Sequence, residues 1–177
     1  MREPLSLNSS TFLESPLISH IRRNHALEHA TLHTLSNQLP QTMLMGHSDV
    51  GGFWIIGDVP PETLHAAVQE AIARLRAGER QLALHPNCGT NYVTAGTLTG
   101  LAGAAAMLGS GRRLQDKIAR LPFAAALATI ALIFSQPLGM LLQARVTTSA
   151  DPGTLEITTI THKKQGHLTV HRVQTRG

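Results

Sequence analysis

Apolar and polar positions alternate along this chain in several distinct rhythms. From Pro16 to about Ser36 the apolar residues return at helical spacing. Ser15-Pro16 opens that segment as an N-cap followed by proline at the first helical position, and Asn37 with Pro40 closes it. Gln41 to Ile56 predicts a β-hairpin: Thr42–Met45 and Phe53–Ile56 flank a turn-rich stretch, His47 to Gly52. Pro60-Pro61-Glu62 begins a second helix, on which Leu64, Val68, Ala71, Ile72 and Leu75 recur until Gly78. Gln81–Leu84 adds a short strand. Thr154–Thr161 and His167–Val173, joined by Lys163-Lys164-Gln165-Gly166, predict a closing hairpin that pairs with the first.

Between these parts the rhythm disappears. Tyr92 to Leu108 carries no charge, and Thr and Gly dilute an otherwise apolar run; as a helix it would be about 25 Å long. A basic loop from Gly109 to Arg120 follows, with Arg112, Arg113, Lys117 and Arg120. Leu121 to Leu142 is again uncharged and long enough for about 30 Å of hydrocarbon, with a kink expected at Pro137. A chain of 177 residues has little material with which to cover two such runs. The expected fold class is therefore α+β: a small helix–hairpin–helix domain with a C-terminal β-hairpin, interrupted by a two-helix transmembrane hairpin. Its parts are a loose tail over 1–15, an α+β part over 16–91, the transmembrane hairpin over 92–142, and a C-terminal hairpin over 143–177 that packs on the 16–91 part. Residues 1–14 lack the apolar core of a secretory signal. A multi-pass protein of the cell membrane with both termini cytoplasmic is expected. Gly96-x-x-x-Gly100, with Gly103, gives the first span a smooth side on which helices, including those of a second copy, can approach closely.

Composition sharpens this picture in two ways. Charged residues make up 15% of the chain and mean hydropathy is +0.01, which excludes a disordered or acidic protein. The net charge of +4 would suit nucleic acid, but only six aromatics are present and the basic residues flank apolar runs. No nucleic-acid partner is expected; the partners are the lipid bilayer and a peptide or protein near it. Cys88 stands alone, so an internal disulfide and a four-cysteine zinc fold are excluded.

The candidate chemistry lies in His25-Ala26-Leu27-Glu28-His29. Residues i and i+4 share a helix face, so His25 and His29 can present both imidazoles to one ion, with Glu28 beside them as a general base. On a helical wheel Glu28 and His25 fall within the apolar sector of Ile18, Ile21, Leu32 and Leu35, with His29 at its margin. An unpaired buried carboxylate costs several kcal/mol, on the order of 3 or more, or changes its protonation. A metal would compensate it; so would a hydrogen-bonded Glu28–histidine pair. A third ligand for zinc is best sought in His85-Pro86-Asn87-Cys88-Gly89-Thr90-Asn91, where His85 and Cys88 supply nitrogen and thiolate. The same segment also reads as a helix-capping turn with Cys88 a small buried residue. His47 with Asp49 reads as a solvated turn, His65 as surface, and His162, His167 and His171 as cross-strand polar pairs.

The H-x-x-E-H order resembles the string of the inverted-motif zinc peptidases. In those enzymes a downstream Glu is the third ligand, and Glu62, Glu70 and Glu79 show no pattern that selects one. Taken together, Arg23 to Thr31, Gly52-Phe53-Trp54, His85 to Asn91 and Leu168-Thr169-Val170-His171 resemble a bacterial family of short membrane proteins with a domain of unknown function. That resemblance runs from about Ser19 to the end and implies a multi-pass membrane protein without implying an activity. Two functions follow from the residues. One is a membrane-anchored zinc protein, a metal-dependent hydrolase or peptidase, with His25, His29 and His85 or Cys88 as ligands and Glu28 as base. The other is a non-enzymatic partner-binding or assembly module in which the His/Glu/Cys cluster is structural.

Overall fold

The computed structural model describes residues 12–166 and 168–177; the tail expected over 1–15 falls almost wholly outside this range, as does His167. Among the described residues the fold is α+β, with four α-helices and one four-stranded antiparallel sheet. The chain divides into two compact units, one formed by the part up to His85 together with Ala144–Gly177, the other by Pro86–Gln143.

In the first unit, helix α1 (Pro16–Gln38) is the centre. Pro16 presets its first turn, and the Leu39 N–H closes it on Leu35 O ahead of Pro40. Ser15 occupies the N-cap position without a side-chain hydrogen bond. α1 packs against β1 (Met45–Asp49) and β2 (Gly52–Gly57), and also against α2 (Pro61–Arg76) and the 3₁₀ turn Arg80–Ala83. Being covered on several sides, it buries Asn24 and everything from Ala26 to Leu32. A helix this enclosed must satisfy its polar side chains internally. Thr31 and Thr34 donate to Leu27 O and Ala30 O, one turn back. Asn24 donates to Asp49 O and accepts from the Thr175 hydroxyl.

The strand order is β1-β2-β4-β3, with β3 spanning Glu156–Gln165 and β4 Leu168–Arg176. β2 and β4 pair antiparallel from Gly52↔Gln174 to Gly57↔Thr169. Phe53, Ile55 and Val173 alternate into the core, while Trp54 and Arg172 lie on the other face, the guanidinium 4.8 Å from the indole centroid. α2 buries Leu64, Ala67, Val68, Ala71, Ile72 and Leu75, a stripe in which each large side chain contributes about 1.5–3 kcal/mol. Glu62 in its first turn and Arg74 and Arg76 in its last complement the helix dipole.

Three local expectations are corrected. The first strand begins at Met45, not Thr42, so the turn shortens to Val50-Gly51 and His47 and Asp49 become strand residues. Asp49 is no solvated turn residue: its carboxylate accepts two bonds from Arg172, 2.7 and 2.9 Å, and its carboxyl is held below the usual range chiefly by that guanidinium. Gln81–Leu84 is not a strand; the segment is part of the 3₁₀ turn packed on α1, to which it gives the carbonyls of Ala83 and Leu84. The expected cross-strand pairing of His171 with His162 is present, and His171 is a core residue as well: it is fully buried and donates from Nε2 to Val59 O at 3.0 Å.

The second unit is a helical hairpin of α3 (Gly89–Met107) and α4 (Leu114–Leu142). α4 starts within the segment expected to be a basic loop, so Lys117 and Arg120 are helical, and Pro122 and Pro137 lie inside the helix. One helix, over Leu114–Thr147, is long and apolar enough to cross a membrane, and only 11% of its most apolar stretch is buried. α3 falls short of the same standard because Thr94, Thr97, Thr99 and its glycines dilute it; Thr94 and Thr99 return their hydroxyls to Thr90 O and Ala95 O. Gly96, Gly100 and Gly103 were expected to smooth the contact between the two helices, yet a side chain at any of them would meet open space. Close approach is made at Gly139 instead, where a Cβ would strike Asn91. Asn91 there accepts from Gln143 at 2.8 Å and donates to Pro86 O at 2.7 Å.

Candidate metal centre

α1 carries His25, His29 and His33 at intervals of four, one above the next on a single face. His29 is fully buried, and the other two are half-buried. Each ring is fixed by a backbone carbonyl. His25 Nδ1 lies 3.0 Å from Thr147 O, His29 Nδ1 2.7 Å from Ala83 O, and His33 Nε2 2.7 Å from Leu84 O. A carbonyl can only accept, so these nitrogens donate, and on His25 and His29 it is Nε2 that is left to meet an ion. This is the arrangement by which metal-binding histidines are oriented: the outer N–H goes to a carbonyl and the other nitrogen faces the ion. The 3₁₀ turn matters here, because it presents the consecutive carbonyls of Ala83 and Leu84 to residues one helical turn apart.

His85 follows directly. Its ring is 5.7 Å from that of His29 and 5.0 Å from that of His33, while His25 and His29 stand edge-on at 4.4 Å. Burial, and then the neighbouring His33, depress the His85 pKa below 6.5, which favours the neutral imidazole that metals require. Cys88 is the N-cap residue of α3, 6% exposed, its sulfur accepting from the Thr90 N–H at 3.4 Å; the segment is thus a capping turn. Within the first unit, then, three imidazoles gather, those of His25, His29 and His85, and three nitrogen donors form a set suited to zinc.

Glu28 is outside that trio. Only 5% exposed, it directs its carboxylate against the backbone of β1 at Gly46, where an added Cβ would collide with it. The other acidic candidates are engaged elsewhere. Glu70 and Glu79 both pair with Arg74, whose guanidinium holds the Glu79 carboxyl below its usual range, and Glu62 is exposed in the first turn of α2. Among the described residues, therefore, no downstream Glu stands where the inverted-motif peptidases place their third ligand. Nothing in the sequence marks the carbonyls of Ala83, Leu84 and Thr147, since any residue type supplies the same group.

Residues 20–160 match the family model described as a domain of unknown function, DUF6391. The chain belongs to this family. A further similarity is to an uncharacterized protein of Picosynechococcus sp. PCC 7002, 38% identical over 139 residues, which cover 73% of this chain and 66% of that protein. The chain thus spans a little under two thirds of that relative's length. No solved structure matches. Within this DUF6391 chain, His25, His29, His33, His85 and Cys88 lie inside the matched residues, and His171 lies beyond them.

Proposed function

We propose that this DUF6391 protein is anchored in the bilayer by the α3–α4 hairpin and holds one zinc ion through His25, His29 and His85, with both termini cytoplasmic. The observation that carries the metal reading is the gathering of three imidazoles, with ring centroids 4.4 Å apart for His25 and His29 and 5.7 Å apart for His29 and His85, the first two rings being oriented by backbone carbonyls. The anchoring rests on the exposed apolar side chains of α4, among them Phe123, Ile130, Ile133 and Phe134, which water would penalise and acyl chains would not. On α3 the open Gly96/Gly100 face is where a second copy would pack.

Three protein ligands leave a fourth position in tetrahedral zinc. A further protein donor would close it in a structural site; in a hydrolase it would admit a water, to which zinc would supply Lewis acidity. The hydrolytic reading also needs the Glu28 carboxylate to turn from Gly46 toward that water as proton acceptor. The donor trio therefore supports metal holding first and peptide hydrolysis second.

Metal analysis of the full chain purified in detergent with added zinc tests the proposal. About one zinc per chain is expected for the wild type, with loss in His29→Ala and His85→Ala and retention in Glu28→Gln. A metal-free wild type, or equal zinc in all four proteins, would overturn it. Extraction of membranes at alkaline pH should leave the chain in the pellet.

A further inference from the structure

A second feature of the first unit lies where α2 ends against the 150–153 loop. A basin of about 210 Å³ is lined by Leu75, Arg76, Gly78, Arg80 and the segment Ala150–Gly153. A third guanidinium lies beside its Gly153 wall: the Cζ, Nη1 and Nη2 atoms of Arg23 are 3.0–3.2 Å from where a Cβ on Gly153 would stand. Gly153 has φ +52°, a conformation that favours glycine, and its missing side chain leaves the room Arg23 occupies. The 150–153 loop is thus shaped to admit this guanidinium.

Three cations lie here that form no ion pair. Among the described residues, Arg23, Arg76 and Arg80 form no ion pair; the arginines that do are Arg74, Arg172 and Arg176. Arg76 gives one Nη to Leu155 O at 2.9 Å. Arg23 is undersatisfied, its Nε buried with no hydrogen-bond partner. Two features oppose an anion. Asp151 lines the basin, its carboxylate accepting the Gly153 N–H at 2.9 Å, and the C-terminus of α2 contributes roughly half a negative charge. Together they offset about one and a half of three positive charges. Stabilising the helix end explains Arg76, but Arg23 comes from α1 and Arg80 from beyond the helix.

We propose that this basin binds a phosphate group, gripped by Arg23, Arg76 and Arg80. Guanidinium forks match phosphate oxygens in geometry as well as charge. The phosphate can come from a lipid headgroup or from a soluble phosphate. The site is independent of the metal reading.

The test uses the full chain in phosphatidylcholine nanodiscs, read by ³¹P NMR. In one arm inorganic phosphate is titrated; in the other the discs contain phosphatidic acid. Saturable broadening of inorganic phosphate that is about tenfold weaker in Arg80→Gln and Arg23→Gln, and unchanged in Arg74→Gln, identifies a soluble ligand. Broadening confined to the phosphatidic acid resonance, with the same variant pattern, identifies a headgroup. Arg80 is exposed, so its variant tests the site even if Arg23→Gln folds poorly. Absence of binding in both arms overturns the proposal, and so does equal weakening by Arg74→Gln, which removes the same charge outside the basin.

Discussion

Replacing Gly46 by alanine probes how firmly Glu28 is held against the sheet. Gly46 sits in β1 opposite Ile55, with no left-handed backbone requirement. On backbone grounds alone, Gly→Ala at such a position stabilises by about 0.4–1 kcal/mol, because it restricts the unfolded chain. Here the new methyl would stand 2.8 Å from Glu28 Cδ and 2.9 Å from Cγ, with Oε1 closer still, whereas ordinary contacts are 3.4–4 Å. Glu28 belongs to a helix enclosed on several sides, so the displacement cannot be absorbed into solvent. Overpacking of this kind costs about 1–3 kcal/mol. The net expectation is a destabilisation of about 1–2 kcal/mol in the wild-type background. In a Glu28→Ala background the obstruction is gone and the same substitution should be neutral or stabilising. The coupling of about 2 kcal/mol is well above the ~0.5 kcal/mol error of additivity. Glu28→Gln, which keeps the shape, should preserve the penalty. Urea unfolding of the detergent-purified chain, followed by the fluorescence of its one tryptophan, reads the effect from Trp54, the neighbour of Ile55 in β2. If Gly46→Ala is stabilising with Glu28 present, or the two substitutions are additive, the reasoning about this contact is wrong.

Further outcomes follow from the same geometry. Burial, with a smaller contribution from His162, holds His171 below its ordinary pKa of 6.5. The unfolded ring therefore takes up a proton that the folded ring refuses, and stability should fall as pH drops below about 6.5, until the folded ring itself protonates. His171→Gln should flatten that slope in pH-dependent urea titrations. Asp49 behaves oppositely: its carboxyl is lowered from 3.8, so its contribution is complete above that value and disappears as acid protonates the folded state. With Asp49 37% exposed and Arg172 14%, Asp49→Ala should cost only about 1 kcal/mol after solvent screening, measured as a shift in urea midpoint. Adding a chelator should lower the melting temperature of the wild type but not of His29→Ala, since a ligand held only by the folded state stabilises it by mass action.

Local order accounts for what was legible in the sequence. Helical periodicity places α1 and α2 within a few residues, and the i, i+4 spacing alone puts His25 and His29 on one face, because a helix is determined by its own neighbours. The wheel likewise sets Glu28 toward the apolar side. The uncharged runs are equally visible, although Thr and Gly keep α3 below the apolarity of α4. Tertiary structure decides the rest. Gln81–Leu84 has strand-like composition, but it turns as a 3₁₀ segment against α1, whose histidines take its carbonyls. The convergence of His29 with His85, and of His25 with Thr147 O, joins residues 56 and 122 positions apart, which no local pattern encodes. The direction of Glu28 depends on Gly46 leaving a gap in β1. Side-chain type and spacing set what each element can offer, while packing between distant elements sets which offers meet.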